Sequence, residues 1–285
     1  MSEPAHRAVD IDHLKTWIGK TEQDEDRLAA RHAMLMAATL GVDGAAVRNA
    51  GVLPPLWHWT YFLSAAPAGE LGPDGHPARG GFLPPVPLRN RMWAGGRVRF
   101  VEPLPLDAVA RKLSTVKDVS HKVGRSGDLV FVTVEHRLEV DDRLCLVEEH
   151  DIVYKGPGAN PERTRAAGPD APRTEAARIL RADSTLLFRY SALTFNGHRI
   201  HYDADYCRRE EGYAAPVIHG PLNATLLAGL AQELSQRPLR EFSYRGHNPA
   251  VLGDALHMHV DRTEDGFALA SRFADGAICM SARAR

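Results

Sequence analysis

The hydrophobic pattern of the first half predicts one helix followed by a run of strands. Apolar positions recur at helical spacing from Thr21 to Leu40, and Gly41 ends the repeat. From Pro54 to Pro87 the chain is irregular and rich in aromatic residues, which we expect to pack against the rest because exposed tryptophans are costly. β-Branched or alternating residues then predict strands at 97–101, 113–119, 129–140 and 144–154.

The second half repeats this order. A short strand is predicted at Leu186–Tyr190, a helix at Gly220–Ser235, and further strands where apolar residues alternate at 256–261 and 267–273. The helix carries leucine and alanine on more than one face, so we expect it to be buried on most sides. One buried helix and a run of antiparallel strands in each half predict an α+β fold, with each sheet wrapped around a central helix.

The segment at residues 156–174 is typical of a linker, because it is dense in glycine, proline, alanine and charge and has no apolar period. A chain of 285 residues is long for one domain and suits two. We therefore predict an N-terminal domain at 12–155 and a C-terminal domain at 175–285.

Charge and cysteine content narrow the partners and the compartment. The 35 basic residues almost cancel the 36 acidic ones, so neither nucleic acid nor an anionic membrane is an expected partner. The three cysteines form no C-x-x-C pair, which indicates a reducing compartment. The first twenty residues have no apolar core of a signal peptide, and no stretch of the chain is apolar enough to span a membrane. We expect a cytoplasmic protein.

The densest group of reactive side chains precedes the second-half helix. It comprises Asn196, His198, His201, Asp203, Asp205 and His219. No metal site is expected, because His198 and His201 are three residues apart in a loop and not four apart on a helix. The sequence also gives no signature of nucleophilic catalysis. It contains no G-x-S-x-G motif, and no local motif marks Ser191 or Cys207 as a nucleophile.

Acid–base chemistry by His201 beside a helix start has a physical basis in the sequence. Gly220-Pro221 opens the buried helix, and the first backbone N–H groups of a helix have no intrahelical partner. That end also carries partial positive charge, so a carbonyl oxygen placed there is polarised. The alternative is that Gly220 only forms a turn and that His219 is a satisfied polar residue beside it.

The order of these residues resembles a known family. His201-Tyr202-Asp203, followed by Pro216-Val217-Ile218-His219-Gly220-Pro221 and an apolar helix, is similar to the MaoC-like or hydratase-2 family of hotdog-fold enoyl-thioester hydratases. In that family a loop His acts with an Asp five residues earlier, and a Gly N–H at the helix start polarises the thioester. The resemblance implies that His201 and Gly220 fill these two roles. Asn196 occupies the position where most of the family has Asp.

Longer strings resemble one branch of this family, in which Asn is usual at that position. The branch consists of double-hotdog proteins similar to mesaconyl-CoA (3-methylfumaryl-CoA) hydratase and fungal mitochondrial 3-hydroxyacyl-thioester dehydratase. The matching strings are Arg91–Phe100, Lys122–Phe131, Phe188–Asp203 and Asn248–Asp254. The resemblance covers most of the chain from Trp17 onward and implies a double hotdog whose first half is catalytically degenerate.

The departure at Asn196 leaves a proton-handling role open. Asn196 accepts no proton at neutral pH, so we expect it to orient water. The second proton-handling group is then His201 itself, Asp203 or another carboxylate. We predict Asp203 as a catalytic residue, with hydrogen bonding to local backbone or to Arg208 as the alternative.

We expect the substrate to contact a further set of residues, which comprises Arg91, Trp93, Tyr190, Arg199 and His219. Arginines suit a carboxylate on the acyl group or the phosphates of coenzyme A. Trp93 suits an acyl pocket, although large aromatics are more often core residues.

The resemblance implies reversible hydration of an enoyl-CoA. The implied acyl group is a branched C5 dicarboxylate, as in 3-methylfumaryl-CoA or itaconyl-CoA, and the product is citramalyl-CoA. Coenzyme A enters as part of the substrate, no other cofactor is expected, and a homodimer is the expected assembly. One alternative is dehydration of a linear 3-hydroxyacyl thioester in fatty-acid metabolism.

Two other classes of function remain as alternatives. A hotdog acyl-CoA thioesterase needs a carboxylate near the thioester, and Glu233 lies late in the helix for that purpose. The second alternative is a noncatalytic hotdog protein that only binds acyl-CoA. The presence of Asn196, where most of the family has Asp, favours this alternative.

Overall fold

The computed structural model describes residues 9–77, 79–88, 90–124, 127–156, 177–235 and 237–285. The helices are α1 (Ile11–Lys15), α2 (Ala30–Leu40), α3 (Gly44–Ala50), α4 (Ser184–Leu193), α5 (Ala204–Tyr206) and α6 (Gly220–Ser235). The first-half strands are β1 (Thr21–Arg27), β2 (Asn90–Phe100), β3 (Val109–Gly124), β4 (Gly127–Val140) and β5 (Arg143–Lys155). Those of the second half are β6 (Arg178–Arg181), β7 (Glu241–Gly246), β8 (Ala255–Thr263), β9 (Gly266–Arg272) and β10 (Ile278–Ala284). Short 3₁₀ turns lie at Trp57–Thr60, Ala68–Glu70 and Arg199–His201, and one π-helical turn lies at Cys207–Glu211.

The ten strands form one antiparallel sheet in the order β1-β3-β4-β5-β2-β7-β10-β9-β8-β6. The first half has the order β1-β3-β4-β5-β2, and the second half repeats it as β6-β8-β9-β10-β7. β2 pairs with β7 over Gly95–Arg99, so this pair joins the two halves. The predicted α+β double hotdog is confirmed. The predicted domain boundaries stay a prediction, since the linker lies outside the described residues from position 157 onward.

The predicted second-half helix is confirmed as α6. Its leucines and alanines are buried, and it packs against β7, β9 and β10. Its apolar side chains share one core with first-half residues such as Val98 and Leu146. The core therefore crosses the seam between the halves, and α6 lies where both contribute to it.

The predicted helix from Thr21 to Leu40 is wrong in its first third. Thr21–Arg27 is strand β1, and the helix starts only at Ala30. β1 is an edge strand whose polar side chains are mostly exposed, and its acidic residues pair in register with basic residues of β3, such as Asp24 with Lys112. Opposite charges on neighbouring strands stabilise their pairing. Because β1 is a polar edge strand, its sequence has no alternation of apolar residues from which a strand could be predicted.

The predicted strand at Leu186–Tyr190 is also wrong, because these residues lie in α4. Asp183 caps this helix by accepting the Leu186 N–H at 2.7 Å. Leu187, Tyr190 and Leu193 are buried at a spacing of three, which is a helical repeat too short to recognise in the sequence. The strand of this region is β6, which comes a few residues earlier.

In the first half, α2 lies between β1 and β2 in the chain, as α6 lies between β6 and β7 in the second half. α2 contacts mainly α3 and α4. Val86 and Leu88 of the irregular segment pack with first-half strand residues such as Val119 and Val130. The expected packing of the aromatic segment is confirmed, because Trp57 is buried in the core.

None of the helices in the described residues combines the length and the apolar character needed to cross a membrane.

Candidate active site

A cavity of about 1290 Å³ opens where the two halves meet. Its lining includes the loop at 194–201, the start of α6, strand residues of β2 and the irregular first-half segment around residues 58–77. Of the predicted site residues, it contains Arg91, Trp93, Tyr190, Asn196, His201, His219 and Gly220.

His201 lies at the end of a 3₁₀ turn and is 8% exposed. Its Nδ1 is 2.8 Å from the carbonyl oxygen of Val217, which can accept a hydrogen bond but cannot donate one. Nδ1 therefore carries the hydrogen, and Nε2 keeps its lone pair. Burial lowers the pKa of His201 to about 4, so the ring is neutral at pH 7 and is a proton acceptor.

Gly220 is the first residue of α6, so its N–H points away from the helix without a partner one turn earlier. A side chain at this position would meet Trp93, because a Cβ built there lies 3.3 Å from Trp93 Cε3. Glycine is thus favoured by packing as well as by access to the amide. The positive end of the helix dipole faces the cavity at the same place.

His219 is fully buried and stacks on His201, with 3.6 Å between ring centroids and 16° between planes. Its Nε2 lies 2.8 Å from Ser191 Oγ, and Tyr190 packs on its other side. Burial, reinforced by the neighbouring imidazoles, holds the pKa of His219 well below its usual range. His219 therefore fixes the plane of the His201 ring as an uncharged neighbour.

Asn196 lines the cavity, and its Oδ1 accepts the His198 N–H at 2.9 Å. It follows Phe195, which is in the left-handed backbone region at φ 47°. The side-chain amide thus shapes the loop before His201. It leaves NH₂ hydrogens to orient a water or a substrate oxygen.

The structure does not bring Asp203 and Arg199 to the cavity. They form an ion pair at 2.7 Å, and Asp203 also caps α5 by accepting the Tyr206 N–H at 2.9 Å. Arg199 Nη1 donates to the Pro73 carbonyl oxygen at 3.1 Å. These contacts agree with the alternative of local hydrogen bonding for Asp203 and point to a structural role for both residues.

Sequence reasoning missed Asp74 and His76, which the irregular first-half segment carries to the catalytic loop. Asp74 Oδ2 is 3.1 Å from His76 Nδ1, and the His76 ring lies 4.2 Å from that of His198. One potential ligand atom from each of these three residues lies within 4.8 Å of the others. No signal near the catalytic loop reveals this contact, since Pro73 and Arg199 are 126 positions apart.

A second missed group lies at the first-half end of the cavity. Glu148 is buried, accepts from Trp59 Nε1 at 2.9 Å and lies 3.0 Å from His58 Nε2. Burial raises the pKa of Glu148, but its contact with His58 more than offsets this, and the pKa falls to about 2. Burial lowers the pKa of His136 to about 4 and that of His150 to about 3. In the sequence, His136 of β4 and Glu148 and His150 of β5 share alternate positions with apolar residues. This alternation predicts strands, but it does not indicate an active site.

The site has the parts of an acid–base enzyme acting on a thioester: a neutral imidazole, an open helix N–H and a cavity between two hotdogs. A model of the hydroxyacyl-thioester dehydratase type 2 family matches residues 56–252. The mesaconyl-C(4)-CoA hydratase of Chloroflexus aurantiacus is 45% identical over 93% of this chain and 95% of its own length. The mitochondrial hydroxyacyl-thioester dehydratase type 2 of Schizosaccharomyces pombe is 26% identical, over 74% of this chain and 78% of its own.

Among solved structures, a MaoC-like dehydratase from Phytophthora capsici superposes with a TM-score of 0.72. It covers 96% of this chain and 97% of its own at 12% identity, so the likeness is one of fold. The protein is a lyase of the hydratase and dehydratase type. The chain belongs to the hydroxyacyl-thioester dehydratase type 2 family.

Proposed function

We propose that the protein hydrates a branched C5 dicarboxylyl-CoA, 3-methylfumaryl-CoA (mesaconyl-C(4)-CoA) or itaconyl-CoA, to citramalyl-CoA. The proposal depends mainly on one observation: the neutral His201, Gly220 at the start of α6, and Arg91 all line the same cavity. The 45% identity to a mesaconyl-C(4)-CoA hydratase supports the choice of acyl group. Coenzyme A is carried by the substrate, and the proposed reaction requires no other cofactor.

His201 acts as the base in this scheme. Its Nε2 accepts a proton from water while the water oxygen bonds to the β-carbon of the substrate. In 3-methylfumaryl-CoA, whose double bond is conjugated with the thioester, the electron pair of that bond moves toward the thioester oxygen, which accepts a hydrogen bond from the Gly220 N–H. The α-carbon then takes up a proton, and Asn196 orients the water through its amide. Each group acts only if the thioester lies between His201 and Gly220.

The polar lining suits a carboxylate on the acyl group. Arg91 and Lys112 are the Lys or Arg side chains among the described lining residues. Trp93 Nε1 and His150 Nε2 are buried in the same lining, and neither has a hydrogen-bond partner within the described part of the chain. Buried polar nitrogens without partners favour a polar ligand, because an unsatisfied group costs about 1–3 kcal/mol.

A substrate panel tests the proposal. Purified protein is incubated with 3-methylfumaryl-CoA, itaconyl-CoA, crotonyl-CoA and a longer straight-chain enoyl-CoA. Loss of the conjugated thioester absorbance is followed for the conjugated substrates, and chromatographic formation of citramalyl-CoA is followed for itaconyl-CoA. We expect the branched dicarboxylates to react fastest by kcat/KM. Turnover of straight-chain substrates alone would overturn the dicarboxylate assignment.

Arg91→Gln separates binding of the carboxylate from the chemistry. We expect KM for the dicarboxylyl-CoA to rise about tenfold or more, since a charge-assisted pair is worth about 1.5–3 kcal/mol. The rate with crotonyl-CoA, which has no second carboxylate, serves as the internal control and should change little. An equal loss on both substrates would assign Arg91 to coenzyme A or to the fold.

Dehydration of a 3-hydroxyacyl thioester is the second candidate function. The family match and the fungal relative favour it, and the same groups catalyse the reverse reaction. Adding 3-hydroxybutyryl-CoA and following the gain of enoyl absorbance tests this alternative. Glu233 is not placed to activate water for thioester cleavage, because it is paired with Arg178 at 3.0 Å on the surface and is not among the cavity residues. A thiol reagent in the same assays should detect no release of coenzyme A.

We also propose a cytoplasmic homodimer. The three cysteines are free and buried, which suits a reducing compartment. β6 forms an edge of the sheet and has mostly exposed side chains, so a second copy can pair there. Light scattering at micromolar concentration tests the assembly, and a monomeric mass would contradict it.

A further inference from the structure

Resting on the proposed hydratase activity, we propose that His76, held by Asp74, is the second proton-handling residue of the reaction and protonates the α-carbon of the substrate. This role belongs to a residue of the first half, which provides the dyad from outside the catalytic loop.

Most of the family has a carboxylate at the position that Asn196 occupies in the catalytic loop. Asn196 has no ionisable proton, and its Oδ1 is bonded to the His198 N–H. Asp203 is held outside the cavity by Arg199 and the Tyr206 amide. Apart from His201 itself, a proton donor for the α-carbon therefore comes from elsewhere in the cavity lining.

The Asp74–His76 dyad has the geometry for this role. The two side chains are 23% and 19% exposed, and Asp74 Oδ2 lies 3.1 Å from His76 Nδ1. A carboxylate at Nδ1 fixes the hydrogen on that nitrogen and leaves Nε2 as the reacting atom. His76 lines the same cavity as His201 and Gly220, so its ring has access to the substrate that they bind.

The dyad is fastened to the catalytic loop, which fixes its position relative to His201. The Arg199 N–H donates to the Asp74 carbonyl oxygen at 2.9 Å. Gly75 faces Gly197 so closely that a Cβ on Gly75 would lie 2.0 Å from the Gly197 carbonyl oxygen. The loops thus meet backbone to backbone, and the His76 ring packs on His198, which in turn lies edge-on to His201.

The charge state of the dyad follows from its surroundings. Burial lowers the pKa of His76 below 6.5, and the Asp74 hydrogen bond and charge oppose that effect. Although burial raises the pKa of Asp74, its contacts with His76 more than offset this, and Asp74 stays ionised. The charged or titratable groups that interact with His76 are Asp74, Arg79, Arg91, His198 and His201. The imidazolium form of His76 therefore becomes more populated as pH falls, and Asp74 is the group that maintains it.

The proton balance of the step closes. His201 Nε2 takes one proton from water as the C–O bond forms, and the pair of the C=C bond moves to the thioester. The α-carbon then takes the proton from His76 Nε2, and the electron pair of the broken N–H bond becomes the lone pair of Nε2. His201 has gained one proton and His76 has lost one, and exchange with solvent restores both.

The test compares His76→Gln and Asp74→Asn with wild type in the hydration direction. We expect His76→Gln to lower kcat about 100-fold or more, the usual range for one proton-transfer group, with a smaller change in KM. Wild-type kcat/KM should rise as pH falls from 8 toward 6.5. Asp74→Asn should displace that rise to lower pH, and His76→Gln should abolish it. His121→Gln is the matched control, since His121 forms a similar pair with Asp128 at 2.7 Å and does not line the cavity.

Each alternative result is informative when melting temperatures and circular dichroism match wild type. A His76→Gln variant with unchanged kcat and an unchanged pH profile would overturn the role of His76, and a substrate-active wild type would leave the proposed function intact. A wild type inactive on every enoyl-CoA would overturn both. Loss of wild-type activity on dialysis against a chelator, with recovery in Zn²⁺ alone, would assign Asp74, His76 and His198 as metal ligands and would also overturn the proposal.

Discussion

Burial keeps His201 uncharged, although its hydrogen bond to Val217 opposes this effect, and the chemistry of His201 follows from that environment. The Val217 carbonyl oxygen fixes the hydrogen on Nδ1, and the stacked His219 ring holds the imidazole plane. A buried neutral base of low pKa binds a proton only transiently, which suits rapid passage of the proton onward. The protonation state and orientation of His201 therefore depend on its neighbours as much as on its being a histidine.

We predict that His201→Ala lowers kcat for enoyl-CoA hydration by about 100-fold to 10,000-fold, the range expected for loss of a general base. The helix and sheet around it do not depend on its side chain, so the circular dichroism spectrum should match wild type. His121→Ala provides the control for removal of a histidine away from the cavity. Rates within a few fold of wild type would remove His201 from the mechanism.

At the residue level, the sequence predicted site residues that lie near one another along the chain, and it missed those that only tertiary structure brings to the site. His201 and Gly220 follow from the order of residues around the start of α6, and the structure brings them to one cavity. The side chain of Asp203 was expected there as well, but local hydrogen bonds hold it elsewhere. His76 and Glu148 have no such order around them, because their partners lie in other segments.

At the level of elements, periodic segments were predicted and polar ones were not. α6 and the long strands β4 and β5 bury regular sets of apolar side chains, and their predicted positions are confirmed within a few residues. β1 is stabilised by backbone pairing and opposite charges at a sheet edge, so it has no apolar period. The irregular segment was predicted to pack, but its contact with the catalytic loop depends on tertiary structure alone.

That contact is testable with Gly75→Ala. Gly75 has φ +86°, and a Cβ there would collide with the Gly197 carbonyl oxygen. We expect the two loops to move apart and kcat to fall about tenfold, because a misplacement of 1 Å can cost about 100-fold in rate. Gly80→Ala is the matched control: Gly80 has φ +95°, but a Cβ there meets only Pro85 at 3.7 Å. Equal activity of the two variants would show that the contact is not needed.

For the whole molecule, the number of neutral histidines that are buried or half-buried predicts sensitivity to acid. Burial lowers the pKa of His201 and His136 to about 4, of His150 to about 3 and of His198 to about 2. In the unfolded chain these rings titrate near 6.5, so the unfolded state binds more protons below that pH. The free energy of unfolding should therefore fall as pH drops from 6.5 toward 4, by on the order of 1 kcal/mol per pH unit for each ring.

Urea midpoints at pH 7.5, 6.5 and 5.5 measure this effect. We expect little change between the first two values and a clear decrease at the third. His150→Asn should lessen the decrease, because it removes one of the titrating rings. Midpoints that stay constant down to pH 5.5 would contradict the burial of these histidines as neutral groups.

The seam formed by β2 and β7 has an evolutionary consequence. The reacting imidazole and the polarising amide sit on one side of this seam, whereas Arg91, Trp93 and the Glu148 group sit on the other. Mutations in the first half can therefore reshape the chamber for a different acyl chain while leaving the bond-making atoms of the second half in place. A half that shapes the chamber, while the base and the polarising amide lie in the other half, becomes the part of the enzyme in which new specificities can arise.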